Sequence, residues 1–347
     1  MSRLHEFQEL FNQMTEAWQR GEQVVLVILT GVKGSAYRLP GTKMVMTSAG
    51  QIYGTISGGC LESDLYEWAQ KVFETKTAMT HQYDLSENEI WSLGIGCKGD
   101  LEFLFLPIFP SDDFWKKVNE LLRREESFTL LIDMISGQSL LIEESGALIG
   151  DCSIPIEVVK QARTGTKQTR AEIYLQDDRS FYIDSVRPGE QLIIAGAGRD
   201  AIPVADLAKR AGFAVTVLDT RTHLNQNQSF PNTIHLFKEP KEIEESQLQN
   251  CWWIIMNHHQ DKDEDVLRLA LERNPRYIGV LGPIYRTKEM LANIGYQLDS
   301  GPIHSPVGLD IGAETSDEVA ISIVSELMSI RAGRTLRFLH GKEKIHD

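Results

Sequence analysis

The chain has 347 residues, of which 42% are hydrophobic and 24% charged, a composition typical of a globular protein with two or three domains. Its formal net charge of -14 argues against nucleic acid and anionic membranes as partners, because both would repel an acidic surface. The first residues are acidic with helical periodicity, unlike a secretion signal, and no run is apolar and long enough to span a bilayer, so a cytoplasmic location is expected.

The N-terminal part begins with a predicted amphipathic helix whose apolar residues recur at helical spacing: Leu4, Phe7, Leu10, Phe11, Met14 and Trp18. A β-branched apolar run from Val24 to Thr30 predicts a buried strand, and a glycine-rich stretch then leads to a helix predicted from about Cys60 to Phe73. A second glycine loop enters a strand that should stop at Pro107, because proline cannot donate to a sheet ladder.

Weaker patterns from about Ser111 to Asp184 predict two further helices, around 114–124 and 156–162, and apolar runs typical of strands. These elements complete an α+β domain. The pattern breaks at Pro188 and Gly189, so we place the domain boundary there, with residues 1–187 forming the first domain and residues 188–347 the second.

The second domain alternates strands and helices. The run "QLIIAGAGRDAIPVADLAKRAGFAVTVLDTR" gives strand, glycine turn, helix and strand, and "CWWIIMNHH" and "RYIGVLGP" continue the alternation. This order predicts a Rossmann-like α/β domain with a parallel sheet covered by helices. Thr315 and Glu318 predict the capping box of a last helix, which Gly333 should end.

The glycine turn of this domain has the G-x-G-x-x-A pattern of a dinucleotide site, formed by Gly196, Gly198 and Ala201. The second glycine would let a pyrophosphate reach the backbone, and Asp219 ends the next strand, where a carboxylate can accept a hydrogen bond from a ribose hydroxyl. Two interpretations follow: the turn binds a nucleotide such as NAD, or it serves only to pack the helix on the strand.

Two histidines of this domain are candidate acid–base or metal-binding groups. His258 follows the strand "WWIIM" and His304 lies further on, both where later strands end. Neutral imidazole with a carboxylate suits several divalent metal ions. The spacing matches no established metal motif, and hydrogen bonding to loop backbone is the alternative role.

Two cysteines lie in glycine loops of the first domain, Cys60 in "GTISGGCLES" and Cys97 in "GIGCKGD". Free amides at a helix start lower a thiol pKa, and Gly58 and Gly59 would clear space for a bulky partner of Cys60. The alternative is a small buried hydrophobe, which is how we interpret Cys152 and Cys251. No C-x-x-C pair is present, so we expect reduced thiols.

Several stretches together resemble the xanthine dehydrogenase accessory family, XdhC/CoxI: "GSAYRLPGTKMVM", "GTISGGCLE" and "LGIGCKGDLE" in the first domain, and "IIAGAGRDAIPVADLAKRAGFAVTVLDTR", "YIGVLGPIYRT" and "HSPVGLDIGAETSDEVAISIVSEL" in the second. The glycine turn reads Gly198-Arg199-Asp200, where many members have Gly-His, which leaves the identity of any nucleotide open.

The resemblance implies a chaperone that binds a molybdopterin-type molybdenum cofactor, supports its sulfuration with a cysteine desulfurase, and delivers it to a xanthine dehydrogenase-type hydroxylase. Cys60 and Cys97 are then candidates for contacting molybdenum or relaying sulfur, and Arg38 and Lys43 for holding the pterin phosphate. Gly196 and Asp219 are candidates for a nucleotide or cofactor phosphate. Analogy with the family, together with the apolar last helix, favours a homodimer.

Two other functions stay open from the sequence. One is an NAD-dependent oxidoreductase that uses Gly196, Gly198 and Asp219, with His258 or His304 as acid or base. The other is a scaffold that only docks the hydroxylase and the sulfur donor. The chain has neither the cysteine spacing of an iron–sulfur protein nor a large molybdenum domain, so we expect an accessory factor rather than a dehydrogenase.

Overall fold

A computed structural model of the chain describes residues 3–34, 36–59, 61–84, 99–151, 153–164 and 171–341. The chain divides into two compact units, Arg3–Pro188 and Gly189–Phe338. Cys60 and Cys97 lie outside the described residues. Among the residues that are described, no helix has the length and apolar character needed to cross a membrane.

The first unit contains two antiparallel five-stranded sheets. The first sheet has the order β3-β2-β1-β5-β4 and consists of β1 (Val24–Gly34), β2 (Lys43–Thr47), β3 (Ile52–Tyr53), β4 (Met79–Asp84) and β5 (Gly99–Ile108). Helix α1 (Arg3–Gln19) packs on one face of it and α2 (Glu62–Thr75) on the other. Both faces of this sheet are therefore covered.

Strand β1 is buried because helices cover both faces of its sheet. Every residue from Val24 to Thr30 is buried, and successive side chains point to opposite faces. Leu26 and Ile28 pack in the core formed with α1, whereas Val27 and Leu29 pack in the core formed with α2. A continuous β-branched run suits a strand with no solvent-facing side, which is why the sequence has no polar alternation here.

The second sheet has the order β8-β7-β6-β10-β9, with β6 (Phe128–Asp133), β7 (Ser139–Glu143), β8 (Leu148–Gly150), β9 (Glu172–Gln176) and β10 (Arg179–Val186). One face joins α1 and α3 (Asp113–Arg123) in a shared core, and the other packs on α4 (Ile156–Thr164). Helices α1 and α3 thus lie in a core to which both sheets contribute.

The second unit is a parallel six-stranded sheet of order β13-β12-β11-β14-β15-β16. Its strands are β11 (Gln191–Ala195), β12 (Ala214–Leu218), β13 (Ile234–Leu236), β14 (Trp252–Ile255), β15 (Tyr277–Val280) and β16 (Ile303–His304). This is the 3-2-1-4-5-6 order of dinucleotide-binding folds, in which the order reverses between β11 and β14.

Helices cover both faces of this sheet. Helix α5 (Ala201–Arg210) and α8 (Ser316–Arg331) pack on one face, and α6 (Gln260–Glu272) and α7 (Ile284–Asn293) on the other. Thr315 and Glu318 form the predicted capping box of α8. Gly333 follows the end of this helix with a φ of 61°, a value that favours glycine.

The predicted fold class is confirmed: an α+β unit precedes a Rossmann-like parallel-sheet unit. One element boundary was wrong, because β5 continues past Pro107 to Ile108. Strand β4 begins at Met79, opposite Phe105, and does not extend back to Pro107, so Pro107 pairs only with Val25 of β1. A proline is tolerated there because its missing N–H has no second neighbouring strand to serve.

Candidate functional site

The glycine pair before Cys60 is open to solvent. Gly58 and Gly59 have φ values of 76° and 106°, in the left-handed region that other residues rarely adopt. A side chain added at Gly59 would meet no described atom within 4 Å, and one added at Gly58 would meet only the ring of Tyr37 at 4.0 Å. The backbone of Gly58 and Gly59 is therefore accessible for close approach by a bulky molecule.

The glycine loop is closed by the first residue of α2. The Glu62 carboxylate accepts hydrogen bonds from the Ser57 hydroxyl, from the Ser57 amide at 3.1 Å and from the Leu61 amide at 3.2 Å. Burial alone would raise the pKa of Glu62, but these hydrogen bonds hold it below its ordinary value. An anion that used the same two amides would have to displace Glu62.

Arg38 lies in the loop between β1 and β2, beside Tyr37. Its side chain is 34% exposed, and its Nη2 donates to Glu6 Oε1 of α1 at 2.7 Å. Tyr37 is 62% exposed. Arg38 can therefore reach a phosphate at the surface, in competition with Glu6, while Tyr37 offers an aromatic face in the same loop.

Lys43 is in a different position from the one expected for a phosphate ligand. Its side chain is 6% exposed and its ammonium forms an ion pair with Asp184 of β10. The same carboxylate accepts from Arg3 of α1 and, at 3.0 Å, from the Tyr182 hydroxyl. Lys43 thus ties β2 to α1 and β10, and this geometry does not support a role in holding the pterin phosphate.

The glycine turn of the second unit has the geometry of its motif. Gly196 has a φ of 115°, and a Cβ there would lie 2.5 Å from the carbonyl oxygen of Met256. Ala201 is fully buried at the start of α5. The turn after β11 therefore approaches the end of β14 so closely that only glycine fits, at the point where the strand order reverses.

Asp219 directly follows β12, at the end of the strand as predicted, but both of its carboxylate oxygens already accept hydrogen bonds. Oδ2 accepts from the Ala197 amide at 2.8 Å, and Oδ1 accepts from the Arg221 amide at 2.9 Å. The Arg221 guanidinium spans the carboxylate, with Nη2 at 2.6 Å from Oδ2. Burial alone would raise the pKa of Asp219, but these partners hold it below its ordinary value. By accepting from the Ala197 amide, the Asp219 carboxylate stabilises the glycine turn.

The two candidate histidines contact different carboxylates. His258 Nε2 is 2.6 Å from Asp200 Oδ2, whereas His304 Nδ1 is 2.7 Å from Glu326 Oε1 on α8. Within the described ranges, no group of three or more His, Cys, Asp or Glu side chains is arranged to hold a metal ion. The structure therefore does not bring His258 and His304 together with a carboxylate.

Sequence reasoning missed several buried carboxylates, among them Asp184 and Asp263. Asp184 interrupts the apolar run "SFYIDSV", and Asp263 in the first turn of α6 binds Arg286 and the amide of Asn257. The available signal was an acid at an inward position of a strand or helix, because a buried carboxylate requires partners. Cys251, by contrast, lies in the core as predicted, and burial raises its pKa to about 11.

The chain matches two family models. Residues 192–327 match the XdhC Rossmann domain, and residues 17–84 match the XdhC and CoxI family. The chain is 30% identical over 316 residues to a protein of Bacillus subtilis that is named a probable subunit of xanthine dehydrogenase, covering 89% of this chain and 94% of that protein. The chain therefore belongs to the XdhC and CoxI family, as the resemblance of its motifs had indicated.

Two further relatives extend this result. The molybdenum cofactor insertion chaperone PaoD of Escherichia coli is 25% identical over 326 residues, covering 91% of this chain and 86% of that protein. A crystal structure described as a xanthine dehydrogenase from Bacillus halodurans superposes with a TM-score of 0.79 at 28% identity, covering 96% of this chain and 97% of that one. The likeness thus spans both units.

Proposed function

We propose that the protein is a chaperone for a molybdopterin-type molybdenum cofactor, which it carries as cargo to a xanthine dehydrogenase-type hydroxylase. The observation that carries the proposal is the open glycine pair Gly58-Gly59 directly before Cys60. The relationship over 91% of the chain to a protein named as a molybdenum cofactor insertion chaperone supports it.

The loop chemistry suits this cargo. A thiolate is a soft ligand, matched to a molybdenum centre that carries sulfur. Arg38, in the loop before β2, supplies a charged donor for the phosphate of the pterin, and charge-assisted hydrogen bonds of this kind are the stronger ones. Cys97 is proposed as the second thiol on the basis of its glycine setting alone.

Sulfuration belongs to the same proposal. The chaperone shields the cofactor while a cysteine desulfurase supplies sulfur, and then transfers the cofactor to the hydroxylase. We also propose that the protein forms a homodimer and is located in the cytoplasm. The oligomeric state can be measured by light scattering coupled to gel filtration, where a mass near 39 kDa would contradict the dimer.

The binding test uses freshly released molybdenum cofactor mixed with the purified protein and passed through gel filtration. Pterin fluorescence and molybdenum should co-elute with the wild type and be lost with Cys60→Ala. Cys251→Ala is the matched control, since it removes a thiol from the core rather than from the glycine loop. Arg38→Ala should weaken binding about tenfold, as for a lost hydrogen bond to a charged group. Absence of co-elution with the wild type would overturn the proposal.

Delivery is tested separately by mixing the loaded protein with a hydroxylase lacking its cofactor, with and without a cysteine desulfurase. Hydroxylase activity should rise fastest when both proteins are present. Equal activation by free cofactor and desulfurase alone would contradict a delivery role. That outcome would leave the binding result intact.

An NAD-dependent oxidoreductase is the second candidate function, favoured by the strand order of the second unit. The hydrogen bonds of Asp219 argue against this function. Its carboxylate oxygens already accept from the Ala197 amide and the Arg221 guanidinium, so a ribose hydroxyl would find no free carboxylate oxygen. Oxidation of NADH by a panel of carbonyl compounds would revive this candidate.

A further inference from the structure

The glycine turn between β11 and α5 carries its own carboxylate. Asp200 directly precedes α5, yet its side chain makes no capping hydrogen bond to that helix. Its Oδ1 lies 2.5 Å from the position that a Cβ on Gly198 would take. The carboxylate therefore covers the bare face of the second glycine of the motif.

This face is where a dinucleotide places its pyrophosphate. The second glycine of G-x-G-x-x-A lets the phosphates reach the backbone, and the positive end of the helix dipole favours an anion there. In this chain the Asp200 carboxylate already lies in that favourable field. An incoming phosphate would meet a negative charge in addition to the steric obstacle.

A histidine from across the switch point holds the carboxylate in place. His258 follows β14, the neighbour of β11, and its Nε2 lies 2.6 Å from Asp200 Oδ2. The backbone of His258 has a φ of 57°, an uncommon conformation for a residue with a side chain. Swinging Asp200 away from Gly198 therefore requires giving up the contact with His258.

We infer that Asp200 is a specificity-determining residue that excludes phosphate-bearing nucleotides from the turn of Gly196, Gly198 and Ala201. The sheet order and the glycines match a dinucleotide site, whereas the acid in the turn does not fit one. The second unit keeps the fold of a nucleotide-binding domain with its phosphate position filled by a side chain. Removing the carboxylate should open that position.

The test compares nucleotide binding by calorimetry in the full chain. The proteins are the wild type, Asp200→Asn, Asp200→Gly and the control Asp206→Asn, which removes an exposed acid from the same helix α5. The ligands are NAD, ADP and adenosine. Asparagine preserves the size of the side chain, and glycine removes it, so together they separate charge from bulk.

Both Asp200 variants should bind NAD and ADP at least about tenfold more tightly than the wild type, since removal of one close like charge in a partly buried site is worth that factor or more. Adenosine, which has no phosphate, should show no such gain, and Asp206→Asn should match the wild type. Tight NAD binding by the wild type would overturn the inference. So would the absence of any gain in both Asp200 variants with unchanged circular dichroism, or an equal gain for adenosine.

Discussion

Buried carboxylates determine which cations of this protein are available to a ligand. Asp184 binds Arg3 and Lys43, and Asp219 binds Arg221. A buried carboxylate is costly unless it is paired, so each of these cations is committed to the fold. Arg38 differs, because its partner Glu6 is itself partly exposed, with 38% of its side chain accessible. A surface pair of this kind contributes little to stability and can be exchanged for a ligand.

Replacing Asp184 should strongly destabilise the first unit. Asp184→Asn leaves Lys43 buried with its charge uncompensated, and breaking a buried pair in this way costs about 3–5 kcal/mol of unfolding free energy. Urea denaturation at neutral pH measures the loss. Asp178→Asn, a change of the same chemistry at an exposed position between β9 and β10, should leave the stability within about 0.5 kcal/mol.

The effect of Asp184→Asn should depend on pH. Burial alone would raise the pKa of Asp184, but Lys43 and Arg3 hold it below its ordinary value. The stabilisation is therefore fully present above the unfolded pKa of about 4 and is lost as the pH falls through the lower folded pKa. The stability difference between the wild type and the variant should narrow below about pH 4. A constant difference from pH 7 to pH 3 would contradict this assignment.

At the residue scale the sequence predicted positions better than partners. Asp219 lies at the end of its strand as expected. Its carboxylate binds the guanidinium of Arg221, which is only two residues further along the chain. The partner of Lys43 could not be predicted from neighbouring residues, because Asp184 is 141 residues away and only the tertiary fold brings the two side chains together. Local patterns therefore give a residue's place in its element, but they do not say whether its charge is already used.

At the scale of elements, the sequence was informative wherever periodicity and caps agreed. The buried strand β1, the strand–turn–helix of β11 and α5, and the capping box of α8 were all predicted from the residue pattern. The predicted end of β5 was wrong because Pro107 has only one neighbouring strand, β1, and can therefore remain in the sheet. Whether β4 reaches Pro107 depends on the extent of β4, and the residues near Pro107 carry no information about it.

The tight turn after β11 should be intolerant of any side chain at Gly196. Gly196→Ala would place a Cβ 2.5 Å from the Met256 carbonyl oxygen and impose a left-handed conformation on alanine. Conformation costs about 1–2 kcal/mol and the backbone clash about 1–3 kcal/mol more, so a loss of about 3 kcal/mol in unfolding free energy is expected.

Gly295→Ala separates these two causes. Gly295 has a φ of 82° but no described atom within 4 Å of its Cβ position, so it tests the conformational cost alone. Its loss of stability in urea denaturation should be about 1 kcal/mol. If both variants lost the same stability, the close approach of the turn to the end of β14 would not be a constraint on this fold.

At the scale of the whole molecule, each unit has a hydrophobic core of its own. The first unit buries α1 to α4 against its two antiparallel sheets, and the second buries α5 to α8 against its parallel sheet. Local stability in proteins is organised in cooperative units of this kind. We therefore expect a destabilising change in one unit to loosen that unit and leave the other closed.

Hydrogen–deuterium exchange with peptide mapping tests this expectation. Asp184→Asn should accelerate exchange in peptides from residues 3–188, whereas Gly196→Ala should accelerate exchange in peptides from residues 189–338. The reciprocal regions should keep the wild-type rates under conditions where both variants remain folded. Acceleration across both regions in either variant would mean that the two units unfold together as one cooperative body. The predicted boundary between residues 187 and 188 would then not be a boundary between independently stable units.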